Sequence, residues 1–282
     1  LVFPWLVVIL YRRRRRVRAD ALLLLAASLF GAAFLVTFNM GHHYASASLN
    51  AVLGQISPVI AFVLGLVVFR EPLTLGKGAG LVISCAGAVW YSLVEQQLKI
   101  RGDSIPLAVA LALAAGVFWA LYMIAAKRLM ARWSAMDLSI VTLFASGAMC
   151  ALAGQLLVPG GLASMAESAA SMSPAAWAVV VHLGVVAGLL CYVLFNYGLK
   201  TIEASRAAVF GYLLVPAAMG LAVLLPGEMR ELPRPSKLIP AAVIILGVWL
   251  VTRKSRAERA REQASPGAEA EWAAGNYMAC WG

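Results

Sequence analysis

Three histidines, thirteen carboxylates and four cysteines are among the side chains of this 282-residue sequence suited to acid–base, nucleophilic or metal chemistry. Their spacing supports none of it. Asp20, Glu71, Glu95, Asp103, Asp137, Glu167, Glu203, Glu228 and Glu231 fall at the ends of apolar runs or between them, and the remaining acids lie beyond residue 252. There is no H-E-x-x-H, nucleophile elbow, carboxylate pair or C-x-x-C. Gly76-Lys77-Gly78-Ala79-Gly80 lacks the spacing of a phosphate loop, and His42-His43, read as part of an outer loop, has too few neighbours to hold a metal. No metal, cofactor or enzymatic activity is expected. Cys85, Cys150 and Cys191 read as small core residues, and Cys280 stands too close to the end for prenylation.

What the apolar runs do contain is neutral. Asn39, Asn50, Gln55, Trp119, Tyr122, His182, Asn196 and Tyr212 offer amide, imidazole and aromatic contacts suited to a small polar molecule. At about 100° per helical residue, Ser28 and Asn39 share a face, and His182 and Asn196 fall within about 40° of each other. Trp119 and Tyr122 sit at i, i+3. Asn50, Gln55 and Ser57 lead up to Pro58, and Tyr212 precedes Pro216 by four. Blander roles compete. Intramembrane amides often only bond a neighbouring helix, Asn39 and Asn196 each have a glycine two residues on and so resemble helix ends, and the aromatics serve equally as packing or interface anchors. Gly184 and Gly188 read as a close helix contact.

The elements that must position these groups are membrane spans. The sequence is 62% hydrophobic and 13% charged, against about 45–50% and about 25% for soluble domains. Roughly 20 apolar residues cross the hydrocarbon, and eight such runs stand at about 21–40, 45–69, 74–95, 104–130, 137–158, 175–199, 204–226 and 236–252. They lack the alternation of a membrane barrel. The fold class is all-α, a polytopic helical membrane protein. Residues 1–11 are apolar but extend only about 16 Å as helix, half the hydrocarbon thickness. Their charges follow rather than precede them, unlike a signal peptide, so a further segment is expected upstream.

The net charge of +10 and the run Tyr11-Arg12-Arg13-Arg14-Arg15-Arg16-Val17-Arg18 suggest nucleic acid at first sight. The distribution argues instead for orientation. If loops alternate sides, 18 of the 23 basic residues fall on one side, and the 159–174 loop opposite holds none. The positive-inside rule puts the arginine run and the C-terminus in the cytoplasm, in a cell inner membrane. A polybasic stretch beside a bilayer also has access to anionic lipid. Residues 253–282 have the composition of a disordered tail.

The sequence also repeats itself. Phe38-Asn39-Met40-Gly41 aligns with Phe195-Asn196-Tyr197-Gly198, Pro58 with Pro216, and Glu71 with Glu228. The Asn-to-Pro spacing is 19 and then 20, and Pro-to-Glu is 13 and then 12. Such agreement argues duplication, and Glu71 and Glu228 mark a repeated helix boundary. By the loop count these two acids end their spans on opposite sides, so the halves are inverted, a recurrent design of secondary transporters. Matched prolines suit paired bends in a gate.

Ala47-Ser48 to Pro58 to Arg70-Glu71, and Ala204-Ser205-Arg206 to Pro216 to Gly227-Glu228, resemble the EamA-type repeat of the drug/metabolite transporter superfamily. Phe118-Trp119-Ala120-Leu121-Tyr122 is similar to the opening helix of the family's second repeat. The resemblance implies ten helices, cytosolic termini and a central pathway. On that template residues 1–95 are a first repeat lacking its first helix, 96–103 a connection, 104–252 a second repeat and 253–282 a tail. The expected function is alternating-access movement of a small metabolite, such as an amino acid, with export favoured; a membrane-embedded enzyme acting on lipid is the alternative. The expected partners are a small-molecule substrate, the lipid bilayer and a second copy of the chain, with no nucleic acid.

Overall fold

A computed structural model describes residues 3–96, 104–157, 160–217 and 235–253. All described regular structure is helical. In order come α1 (Phe3–Arg12), α2 (Arg14–Ala19), α3 (Ala21–Tyr44), α4 (Ala47–Gly54), α5 (Ile56–Phe69), α6 (Leu75–Gln96) and α7 (Ile105–Leu129). Then follow α8 (Ala135–Leu157), α9 (Gly161–Ser171), α10 (Pro174–His182), a π-helical stretch Leu183–Leu190, α11 (Cys191–Thr201), α12 (Ala204–Val209), a 3-10 turn Phe210–Leu213 and α13 (Pro235–Thr252). Five stretches among the described residues are long and apolar enough to cross a bilayer: Ala21–Tyr44, Val52–Phe69, Ile105–Leu129, Ala135–Leu156 and Pro174–Thr201. The chain is a polytopic helical membrane protein.

Three expected spans are interrupted, two of them beside a proline. The 45–69 run divides at Gln55. Pro58, in the first turn of α5, lacks the N–H that the Gly54 carbonyl would otherwise accept. The 204–226 run passes from α12 into the 3-10 turn, and Pro216 stands four residues after Tyr212. The 175–199 run is α-helical at both ends and π-helical between. Three expected loops are helical instead. The arginine run forms the end of α1 and most of α2, the 159–174 segment contains α9, and His42 and His43 lie in the last turn of α3. Start signals are conventional: the Ser46 hydroxyl accepts from Leu49 N at 3.3 Å, and Ser173, followed by Pro174, accepts from Ala176 N at 3.2 Å.

The helices form two compact units, residues 1–44 with 106–202 and residues 45–105 with 203–282. Each draws on both halves of the sequence. In the first unit α3 packs on α8, and α8 on α11. Ser28, Ser139, Thr142 and Ser146 are buried, and the Ser146 hydroxyl donates to the Ser28 carbonyl at 2.8 Å. Polar groups thus join helices where lipid supplies no hydrophobic drive for helix pairing.

In the second unit α6 crosses α13 at glycines. A Cβ on Gly80 would stand 2.5 Å from the Gly247 carbonyl oxygen, and one on Gly247 would meet Ser84 N at 2.6 Å. Only glycine allows that approach. Among the described residues, the close contact expected at Gly184 and Gly188 is not found. A Cβ on Gly184 has nothing within 4 Å, and the nearest atom at Gly188 is the Leu183 carbonyl of the same stretch, 3.3 Å away.

Candidate functional site

Trp119 is the centre of the first unit's aromatic cluster. It leaves the middle of α7 half-buried, with the ring of Phe34 from α3 and that of Phe195 from α11 each 5.0 Å away between centroids. Tyr122, one turn along α7, lies 5.5 Å from it, and Tyr192 meets it edge-on at 6.2 Å. Phe38 and His42 continue the row along α3, the latter edge-on at 5.5 Å. The i, i+3 spacing of Trp119 and Tyr122 therefore does place both on one face.

Behind the rings lies a neutral polar triad. Tyr122 and Asn196 are both fully buried. The Asn196 amide donates to the Ser139 hydroxyl at 2.9 Å and to the Tyr122 hydroxyl at 3.2 Å. The network satisfies polar groups that hydrocarbon would otherwise penalise. It also fixes the tyrosine ring that Trp119 stacks on. Ser139 was missed in the sequence, although Ser139, Thr142 and Ser146 recur at helical spacing and mark a polar stripe on α8.

Asn39 and His182 stand apart from this cluster. Asn39 is exposed and donates to the Leu35 carbonyl of its own helix at 2.7 Å, well before α3 ends at Tyr44. His182 is exposed at the end of α10. The shared face expected for His182 and Asn196 assumes uniform α-helix. The π-helical residues between them advance only about 80° each, which moves the pair from about 40° apart to roughly opposite faces.

In the second unit, Tyr212 is fully buried and its hydroxyl donates to the Gln55 carbonyl at 2.9 Å. The two proline-associated irregularities are thus joined directly, and a Cβ on Gly211 would stand 3.4 Å from Pro58. Asn50 is buried on α4, one turn before the break. Pro216 is half-buried.

Glu71 does more than mark a boundary. The chain leaves α5 through Arg70, in left-handed conformation at φ 51°, and the Glu71 side chain turns inward to 7% exposure. It accepts from Ala204 N at 2.6 Å, Ser205 N at 3.0 Å and the Ser205 hydroxyl. A carboxylate thereby caps the start of α12, where unpaired N–H groups and the helix dipole favour negative charge. Beside it Lys77, almost wholly buried, pairs with Glu203 at 2.8 Å and donates to the Pro72 carbonyl at 2.9 Å. Glu203 also holds Arg206 at 2.7 Å. Glu228 lies outside the described residues.

Comparison with known proteins places this architecture. The EamA-like transporter family matches residues 1–93 and 106–253. A "Probable terminal-alkyne amino-acid exporter" of Streptantibioticus cattleyicolor is 26% identical over 255 residues, 90% of this chain and 80% of its own. An uncharacterized transporter of Archaeoglobus fulgidus is 27% identical over 242 residues, 81% of this chain and 76% of its own. A biotin transporter of Salmonella typhimurium is 36% identical over a shorter stretch of 88 residues, 31% of this chain and 28% of its own. A solved crystal structure superimposes with a TM-score of 0.66 at 20% identity, covering 85% of this chain and 77% of that one, which establishes the shared fold.

Proposed function

The chain belongs to the EamA-like transporter family, and on that premise we propose that it exports a small amino-acid-like metabolite with an apolar side chain across the inner membrane. The observation that carries the substrate reading is the half-buried aromatic face of Phe34, Trp119, Tyr192 and Phe195, backed by the Tyr122–Asn196–Ser139 network. Aromatic faces attract an ammonium group through the ring quadrupole and accept an apolar side chain equally well. The amino-acid exporter among the relatives supports the same class and direction. The lipid-acting enzyme finds no support in these relatives, whose names are those of transporters and exporters.

Movement is assigned to the second unit. Pro58 and Pro216 occupy matched places in the two sequence halves, each four residues after a carbonyl its ring leaves without a helical donor. Tyr212 couples the two bends through Gln55, and buried Asn50 stands one turn before the first bend. Alternating access follows if these bends exchange conformations between the inverted halves. Glu71 and Glu228 remain the paired ends of that repeat, with the C-terminus cytoplasmic.

Metabolite profiling of medium and cytosol tests the reading, with the full-length protein expressed and deleted. An apolar amino-acid-type compound should move from cytosol to medium on expression. Unchanged partitioning of all such compounds would refute it.

A further inference from the structure

The arginines between Arg12 and Arg18 have two different environments. Arg13 pairs with Asp137 at 2.6 Å, and Arg16 donates to the Arg132 carbonyl at 2.9 Å. Arg132 in turn pairs with Asp20 at 3.1 Å, whose other oxygen accepts from the Trp133 indole at 3.0 Å. These bonds hold α2 and its two flanking residues to the start of α8 and the turn before it. Arg12, Arg14, Arg15 and Arg18 are exposed, and none of their side chains makes an ion pair or hydrogen bond with another described residue.

Two hollows open among these side chains. One of about 550 Å³ is bordered by Arg12, Arg13, Arg14, Arg15 and Arg16. The other, about 350 Å³, is bordered by Arg16, Ala19, Asp20, Ala131 and Arg132. Apolar surface flanks the run in sequence on both sides, with Trp5 and Tyr11 of α1 exposed by 62% and 76%, and Leu22 and Leu25 of α3 by 84% and 55%. The spanning helix α3 begins at Ala21, so the arginines stand where hydrocarbon gives way to headgroups.

We propose that the hollow bordered by Arg12 to Arg16 binds the phosphate of an anionic membrane phospholipid, with the acyl chains lying along the exposed apolar faces of α1 and α3. Orientation of the chain requires positive charge alone, which lysine supplies as well. Here every basic residue from 12 to 18 is arginine, whose planar fork holds two phosphate oxygens at once. Arg13 and Arg16, held by Asp137 and the Arg132 carbonyl, fix the backbone. Arg12 and Arg15, three residues apart on helical backbone and so on one face, then meet the ligand with their side-chain donors unspent. The flanking hydrocarbon surface is what selects a lipid over a soluble anion.

Native mass spectrometry of the full chain in detergent, titrated with phosphatidylglycerol and with phosphatidylcholine, tests the site. Each arginine near a phosphate is worth about fivefold, so the joint change of Arg12 and Arg15 to Gln should weaken phosphatidylglycerol binding roughly 25-fold. The corresponding double lysine variant preserves charge and orientation and should still lose several-fold in affinity. Equal binding of the two lipids by the wild type would overturn the proposal and needs no variant to fold. A lysine variant indistinguishable from wild type would show a diffuse charge effect and overturn the fitted site. Displacement of phosphatidylglycerol by millimolar inorganic phosphate would identify a soluble-anion site and overturn the assignment to lipid.

Discussion

Removing the Glu71 carboxylate should unseat the start of α12. Three donors, Ala204 N, Ser205 N and the Ser205 hydroxyl, converge on this buried side chain. Hydrogen bonds to a charged acceptor contribute about 1.5–3 kcal/mol each, and a buried donor left unpaired costs about 1–3 kcal/mol. The contributions are not additive, so Glu71→Ala is assigned about 3–5 kcal/mol. Glu71→Gln keeps one acceptor oxygen but turns an amide NH₂ towards backbone N–H groups, at about 2 kcal/mol. At about 3 °C per kcal/mol for a chain of this length, the alanine variant should melt about 10 °C lower. Intrinsic fluorescence of the detergent-solubilised full-length protein, followed on heating, reads this directly. Ser205→Ala should be milder, and the double variant should be less damaging than the two single changes combined by about 1 kcal/mol. An alanine variant melting within about 1 °C of wild type would refute the capping role, as would strict additivity with Ser205→Ala.

Gly247→Leu forces a side chain into Ser84 and the Gly80 carbonyl and should cost at least 1–3 kcal/mol, roughly, by overpacking; Gly184→Leu, with no described residue within 4 Å of its Cβ position, should melt like wild type. Pro58→Ala should slow turnover in liposomes more than it weakens substrate binding, because it restores a helical donor at the bend; a change in affinity alone would remove the bend from the mechanism. Single cysteines at Ser168 and Ser265, in a background without native cysteines, should label with an impermeant thiol reagent in intact cells at 168 and not at 265. The opposite pattern would reverse the orientation.

The apolar runs were legible because crossing hydrocarbon demands length and composition that little else imitates. The runs at 21–40, 104–130 and 137–158 became α3, α7 and α8 with ends moved by a few residues. Trp119 and Tyr122 were legible as one face because α7 is regular between them. His182 was misplaced because the intervening π-helix leaves no mark in hydrophobic periodicity. Glu71 read as a boundary since its partners lie 133 and 134 positions away. The burial of Lys77 was hidden likewise, because its charge is balanced by Glu203 from the other half of the chain. Asn196 did announce itself, as an amide inside an apolar run, but its partner Ser139 could be named only once α8 and α11 were placed together.

Counterflow of a radiolabelled apolar amino acid in proteoliposomes bearing the full-length protein, wild type and Trp119→Ala, tests the central claim most directly. Trp119 touches the rings of Phe34, Tyr122, Tyr192 and Phe195, and loss of its face should remove an attraction of about 1–2 kcal/mol for a bound ammonium group. The account predicts trans-stimulated flux in the wild type, and in the variant a KM raised about tenfold with maximal rate largely kept. Wild-type flux with an unchanged KM in Trp119→Ala would contradict the aromatic site, and absence of counterflow for every apolar amino acid would contradict the substrate class itself.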